Sequence, residues 1–275
     1  MRFLRHFSVF ALVVALIFSL WASIRYNRGI NKDMPVLENS IQLLELSVRD
    51  GEEALLRGLT AHDATDGDLT DQILVGSLSH FVEPGTVNVK YVVFDKHHNS
   101  ATLTRKVHYT DYCAPRFSLK KNPVYVRGEK FDLLEHLQVT DQLEGDISGR
   151  MRVLYNAVSN YSSGVFPLVV EVSNDFGDTV QLTLQVTYLS SAPTVTVQLR
   201  ENLVYLKTGE HFDPLGMLTS VTDKNGEALD PSAVTVQGNL DTGTPGTYCL
   251  TYAYAEGKLT GQATLTVVVT EEVAG

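Results

Sequence analysis

Cysteine is nearly absent from this chain. Of 275 residues only Cys113 and Cys249 are cysteines, and they fall at non-equivalent points of the repeat described below. A disulfide that stabilises a small domain joins two cysteines of one unit, so a free pair is expected. Two isolated cysteines also exclude a four-cysteine zinc site. Positive charge is scarce beyond the start. Of the 22 basic side chains, five (Arg2, Arg5, Arg25, Arg28, Lys32) lie in the first 32 positions, which hold no acid, leaving 17 against 32 acidic residues. Phosphate recognition needs a basic face, so no nucleic-acid partner is expected. An acidic surface suits an exposed module or one that attracts cations. Catalytic signatures are missing as well. There is no Gly-x-Ser-x-Gly elbow, no His-Glu-x-x-His and no phosphate loop, and no sequence signature supplies Cys113 with a histidine base. The expectation is therefore a chain that is not an enzyme and carries no cofactor.

Long apolar runs are missing after Ile24. The one such run is residues 7–24, which have no charge and as a helix would span about 27 Å. Trp21 and Tyr26 sit near one end, where aromatic rings favour a membrane interface. A cleaved secretory signal competes with an uncleaved signal-anchor. The apolar region is long for a signal, and the cut after Ala22 would place bulky Leu20 three positions back, which favours the anchor. The expected organisation is a cytoplasmic amino terminus (1–6), a transmembrane segment (7–24) and a polar stalk (25–35). That makes the membrane a partner through the amino-terminal helix, with the location a single-pass cell-membrane protein whose carboxy-terminal domains face outward.

What the chain does contain is a repeat. His62-Asp63-Ala64-Thr65-Asp66-Gly67-Asp68-Leu69-Thr70 returns as Thr140-Asp141-Gln142-Leu143-Glu144-Gly145-Asp146-Ile147-Ser148, and again, more altered, as Thr222-Asp223-Lys224-Asn225-Gly226-Glu227-Ala228-Leu229. Glycine turns follow at Pro84-Gly85, Ser163-Gly164 and Pro245-Gly246. The spacing is about eighty residues, too long for a solenoid unit and long enough for a small domain. Three domains are expected at 36–111, 112–190 and 191–270, with a tail at 271–275. X-Pro steps at Pro35, Pro115 and Pro193 mark the joints.

Within each unit the apolar period is two. Val180, Leu182, Leu184, Val186 and Tyr188 alternate with polar residues, as do Ala263, Leu265, Val267 and Val269. That is the pattern of strands with one buried face, and in units of this size it predicts antiparallel sandwiches. Residues 52–59, 131–137 and 212–218 lack alternation and are expected to form a turn or two of helix crossing between the sheets.

Asp63…Asp66-Gly67-Asp68-Leu69-Thr70, then Pro84-Gly85, then Tyr91-Val92-Val93-Phe94-Asp95, then Ala101 through Val107, resembles the bacterial Ig-like repeat first described in a pesticidal crystal protein. The similarity runs over residues 36–270. In the second repeat Glu144 replaces the first aspartate of the triplet, and in the third the triplet reads Asn225-Gly226-Glu227. The resemblance implies an all-β chain of three tandem Ig-like antiparallel sandwiches on a cell surface, and no catalysis. The implied work is binding or adhesion to an unknown protein or cell-wall glycan, or spacing. The alternative is the stalk of a larger surface enzyme or sensor whose functional domain lies beyond Gly275.

Site candidates concentrate in the acidic loops. Asp95, Asn174 and Glu256 each stand ten positions past a turn glycine, where oxygen-bearing side chains could face the Asp66-Gly67-Asp68 loop. Calcium wants six to eight oxygens, and the full calcium-loop pattern is absent. Asp and Asn in turns also accept local backbone N–H bonds. No metal is expected; were calcium bound, Asp141, Glu144 and Asp146 would hold it. His97-His98, adjacent in an extended segment, make a poor chelate. Arg105 aligns with Leu184 and Val267 and so points inward, where an unpaired charge costs several kcal/mol. A forked ion pair with one or two of Asp63, Asp66, Asp68 and Asp95 is expected, Asp66 or Asp68 foremost. Its charge would make the first repeat the least suited to calcium.

Overall fold

The computed structural model describes residues 14–22 and 33–271, and it divides into two compact units at Thr110/Asp111. Residues 14–22 are helical, reaching less than half of a hydrocarbon core about 30 Å thick. Among the described residues no helix is long and apolar enough to cross a membrane. This corrects the expected single-pass membrane location. The remainder of the apolar run, residues 7–13 and 23–24, lies outside the described residues.

The rest is β structure, arranged as pairs of facing sheets. In the first unit β1 (Val36–Asn39), β2 (Leu43–Leu46), β3 (Leu59–Asp63), β4 (Gly67–Asp68), β5 (Leu74–Glu83), β6 (Thr86–Phe94) and β7 (Ser100–Tyr109) form two sheets, ordered β1-β3-β4 and β2-β7-β6-β5. The second unit opens with the same plan. β8 (Arg116–Leu119), β9 (Val124–Val126), β10 (Leu137–Asp141), β11 (Gly145–Asp146), β12 (Arg152–Asn156), β13 (Gly164–Ser173) and β14 (Thr179–Leu189) make sheets β11-β10-β8 and β12-β13-β14-β9. It continues with β15 (Val195–Leu199), β16 (Leu203–Lys207), β17 (Leu218–Asp223), β18 (Val234–Gln237), β19 (Gly246–Glu256) and β20 (Leu259–Thr270), in sheets β15-β17 and β16-β20-β19-β18. The third repeat keeps only an isolated Thr222–Ala228 bridge where the others have a second short strand, as its degraded acidic loop would suggest.

Alternation decides the faces. In β6 the inward residues Val87, Val89, Tyr91 and Val93 are fully buried, and in β14 Leu182, Leu184, Val186 and Tyr188 are within 1% of it. The three non-alternating segments form 3-10 turns at Glu52–Leu56, Leu133–His136 and Leu215–Met217. Each carries the chain from the four-stranded sheet to its partner sheet, between β2 and β3, β9 and β10, and β16 and β17. The glycines after each acidic aspartate adopt positive φ (80°, 76° and 87° at Gly67, Gly145 and Gly226), a conformation that side-chain-bearing residues avoid.

The second and third repeats share packing. Leu203, on β16, is 5% exposed and belongs to the apolar core of the second repeat, with Tyr205 and Val268 packed against it. The Phe117 amide donates to the Tyr205 hydroxyl (2.8 Å), and the Arg116 guanidinium lies 5.1 Å from that ring's centre. Asn122 bonds Gln262 and Thr264 across the same joint. Burying a leucine contributes about 1.5–3 kcal/mol, so the Ala192-Pro193 step is not a free swivel.

Candidate functional site

The acidic loops are built by one aspartate each. Asp63, last residue of β3 and 1% exposed, accepts the amides of Thr65 and Asp66 on Oδ1, both at 2.8 Å. Asp141 does the same for Leu143 and Glu144, and Asp223 for Asn225 and Glu227. The side chain replaces the backbone acceptors that a reversing chain lacks. A second residue closes the hairpin that follows. Asp95 Oδ1 accepts the amides of His97 and Asn99 at 2.8 Å, as Asn174 Oδ1 accepts those of Phe176 and Asp178. Asp95 and Asn174 are both buried, whereas Glu256, the third candidate, is exposed and accepts from the Tyr254 hydroxyl.

In the second repeat the remaining atoms of this pair satisfy each other. Asn174 Nδ2 donates to Asp141 Oδ2 (3.0 Å) and to the Tyr112 hydroxyl (2.9 Å), and that hydroxyl donates to Asp178 (2.8 Å). Burial and the Asp178 bond push the Tyr112 hydroxyl pKa strongly up. Tyr112 was invisible to sequence reasoning because it stands in a linker outside any alternating run. Glu144 accepts the Asp175 amide and pairs with Arg150 at 2.6 Å, and Asp146 accepts from Ser148. Asp141, Glu144 and Asp146 are thus spent on turn and strand donors and do not converge on one point.

In the first repeat the corresponding atoms do not satisfy each other. Asp63 Oδ2 is buried and has no hydrogen-bond partner. Asp95 Oδ2, in the place of Asn174 Nδ2, accepts from Asn99 Nδ2 (2.7 Å). Asp66, Asp95 and His97 bring potential ligand atoms within 4.8 Å of one another. Asp66 accepts the Lys96 amide on Oδ2 (2.9 Å) and faces the Lys96 ammonium at 3.2 Å on Oδ1. Those contacts, the amide first, hold its pKa below the ordinary value. Burial pulls the Asp95 carboxyl up, but the Asn99 and His97 donors outweigh it and its pKa is lowered. His98 takes a φ of 68°, so it is His97 alone that joins the carboxylates. Asp68 is exposed and turned to Thr70.

Arg105 is 4% exposed, but its partners are not the expected carboxylates. Nε donates to the Tyr91 hydroxyl (3.2 Å), Nη1 to Asn39 Oδ1 (3.0 Å) and the Arg57 carbonyl (2.7 Å), and Nη2 to the Leu55 carbonyl. The guanidinium caps the end of the first 3-10 turn by donating to the Leu55 and Arg57 carbonyls. None of Asp63, Asp66, Asp68 or Asp95 is within its reach for a plain reason. Arg105 sits opposite Val89, and six further residues of extended chain to Asp95 are about 20 Å. Strand pairing sets Arg105 level with Leu184, opposite Leu168, and with Leu265, opposite Leu250, so its third-repeat counterpart is two positions from Val267. Without an arginine beside the carboxylates, the ground for expecting the first repeat to be least suited to a cation disappears.

Residues 205–269 match the family model described as bacterial Ig-like domain (group 3). Over 116 residues, 41% of this chain, the sequence is 29% identical to the pesticidal crystal protein Cry22Aa of Bacillus thuringiensis, and the chain spans only 15% of that relative's length. Solved structures similar to it include Drosophila N-cadherin EC1-3, with a TM-score of 0.29 and 11% identity over 85% of this chain and 99% of that one. A lipoprotein from Bacteroides thetaiotaomicron gives a TM-score of 0.21 and 15% identity over 85% of this chain and 99% of that one.

Proposed function

We propose that this chain, whose third repeat is of the bacterial Ig-like type, is a non-catalytic surface- or adhesion-type protein of three tandem Ig-like sandwiches. In this reading it holds a glycan of the cell-wall kind at the outer edge of its second repeat. The observation that carries binding over mere spacing is β12. It is the edge strand of its sheet and every residue in it is exposed, with Tyr155 at 55%; Tyr161, in the connection to β13, reaches 90%. An edge strand left open is a liability that proteins usually blunt, and exposed apolar surface of this kind marks interaction sites. Tyrosine offers a flat apolar face for a sugar ring and a hydroxyl for its oxygens, and Arg152, Asn156 and Asn160 supply polar neighbours in sequence. In the third repeat Val234, on the matching strand, is buried instead.

Co-sedimentation with insoluble cell-wall polysaccharide tests this reading. The full chain is expected to pellet with the polymer, and the double substitution Tyr155→Ser, Tyr161→Ser to lose most of that binding while keeping its fold. Equal pelleting of the two proteins, or none by either, leaves the spacer reading in its place.

A further inference from the structure

The geometry points to a binding site for one divalent cation in the first repeat, formed by Asp66, Asp95 and His97, with the buried Asp63 carboxylate adjoining Asp95. Two independent observations support it. One is the convergence of ligand atoms from Asp66, Asp95 and His97 within 4.8 Å. The other is Asp63 Oδ2, on a side chain 1% exposed and without a hydrogen-bond partner. A buried carboxylate oxygen left unmatched costs more than an ordinary lost hydrogen bond.

The direction of that orphan oxygen follows from the second repeat. Asp63 and Asp141 make the same pair of amide contacts through Oδ1. Asp95 and Asn174 likewise make matching pairs through theirs. Asp141 Oδ2 then meets Asn174 Nδ2 at 3.0 Å. With aspartate in place of that asparagine, Asp63 Oδ2 is turned toward Asp95, an acceptor facing an acceptor. The pairing needs a positive centre between them. Asp66 and His97, from the adjoining turns, complete a donor set with Asp95 of two carboxylates and one imidazole. Hard oxygen donors suit calcium and manganese, and an imidazole suits manganese and zinc. The one cation already present, the Lys96 ammonium at 3.2 Å from Asp66 Oδ1, is on a side chain 72% exposed. It shields the rim and competes with an ion.

Equilibrium dialysis of the full chain against calcium, manganese or zinc, followed by metal analysis, tests the site. One ion per chain is expected, from at least one of the three. Asp95→Asn copies the residue that the second repeat uses, so it keeps the fold, and it puts a donor where the ion would sit. It should lower the affinity at least tenfold, as should Asp63→Asn. Lys96→Ala should raise it several-fold by removing the competitor. His97→Ala should weaken manganese and zinc while leaving calcium unchanged. The site is overturned if none of the three ions binds, or if Asp95→Asn retains the parent affinity. Unchanged manganese and zinc affinity in His97→Ala would overturn the part assigned to the imidazole.

Discussion

The first and second repeats share one strand plan and one set of turn hydrogen bonds, and they differ in charge at two buried positions. Where the second has Leu184 in its core the first has Arg105; where the second has Asn174 behind its acidic loop the first has Asp95. The second repeat therefore closes on itself, apolar in the middle and donor-to-acceptor at the end. The first keeps a charge at each place. One is matched by the carbonyls of Leu55 and Arg57 together with Asn39 and Tyr91. The other is left with Asp63 Oδ2 unmatched. The same fold thus tolerates a buried ion where backbone acceptors happen to end, and leaves a buried carboxylate oxygen unmatched where they do not.

Exchanging the core residues should give the largest effect. Leu184→Arg introduces a guanidinium with no arranged acceptors, and Arg105→Leu strips four acceptors of their donor. Each should cost about 3–5 kcal/mol, read as a lower urea midpoint for the affected unit. An Arg105→Leu chain as stable as the parent would show that the capping contacts contribute nothing. Leu203→Ala comes next. It lies in the third repeat by sequence, yet should weaken the second repeat's core by about 2–4 kcal/mol. Hydrogen exchange in β13 and β14 should rise with it; a change confined to β19 and β20 would deny the shared core. Asn174→Asp makes the second repeat imitate the first and should cost about 1–3 kcal/mol, partly recovered by divalent cations if the imitation is complete. The smallest effect concerns a contact that the first repeat lacks. At the second repeat's 3-10 turn Lys121 meets Asp132 at 2.6 Å and Tyr125 donates to the same oxygen, whereas Gly51 stands at the start of the corresponding first-repeat turn. These two contacts, Lys121 first, depress the Asp132 pKa to about 2 from 3.8. Since the folded-state value is the lower one, the stabilisation is present above pH ~4 and is lost as pH falls toward ~2. Asp132→Asn should lower stability modestly at neutral pH, leave it nearly unchanged near pH ~2, and so flatten that part of an acid titration.

Alternation in the sequence was enough to place the inward faces of β14 and β20, because side chains on a strand reverse with each residue. The breaks in alternation located the 3-10 turns for the same reason. Depth along the strand was not legible. Arg105 could be assigned to the interior, but its acceptors are two backbone carbonyls, Asn39 and Tyr91, and carbonyls leave no trace in residue type. The acidic loop was recognisable as a turn built by Asp63. That Asp95 opposes it unmatched emerged only when Asn174 could be seen donating to Asp141. Tyr112 carried no pattern at all. The amino-terminal run suggested a membrane span because hydrophobicity reports a capacity to cross a bilayer, whereas the helix described at residues 14–22 is too short to do so.

The parallel pairing of β2 with β7, β9 with β14 and β16 with β20 has a mechanical consequence. In each repeat an early strand lies beside the last one and runs in the same direction. Tension applied along the chain pulls the early strand from its beginning and the late strand from its end, which in a parallel pair are opposite ends. The evenly spaced ladder bonds then carry the load together, in shear, and cannot be unzipped one after another. A tether made of such units resists stretching until a whole ladder fails at once.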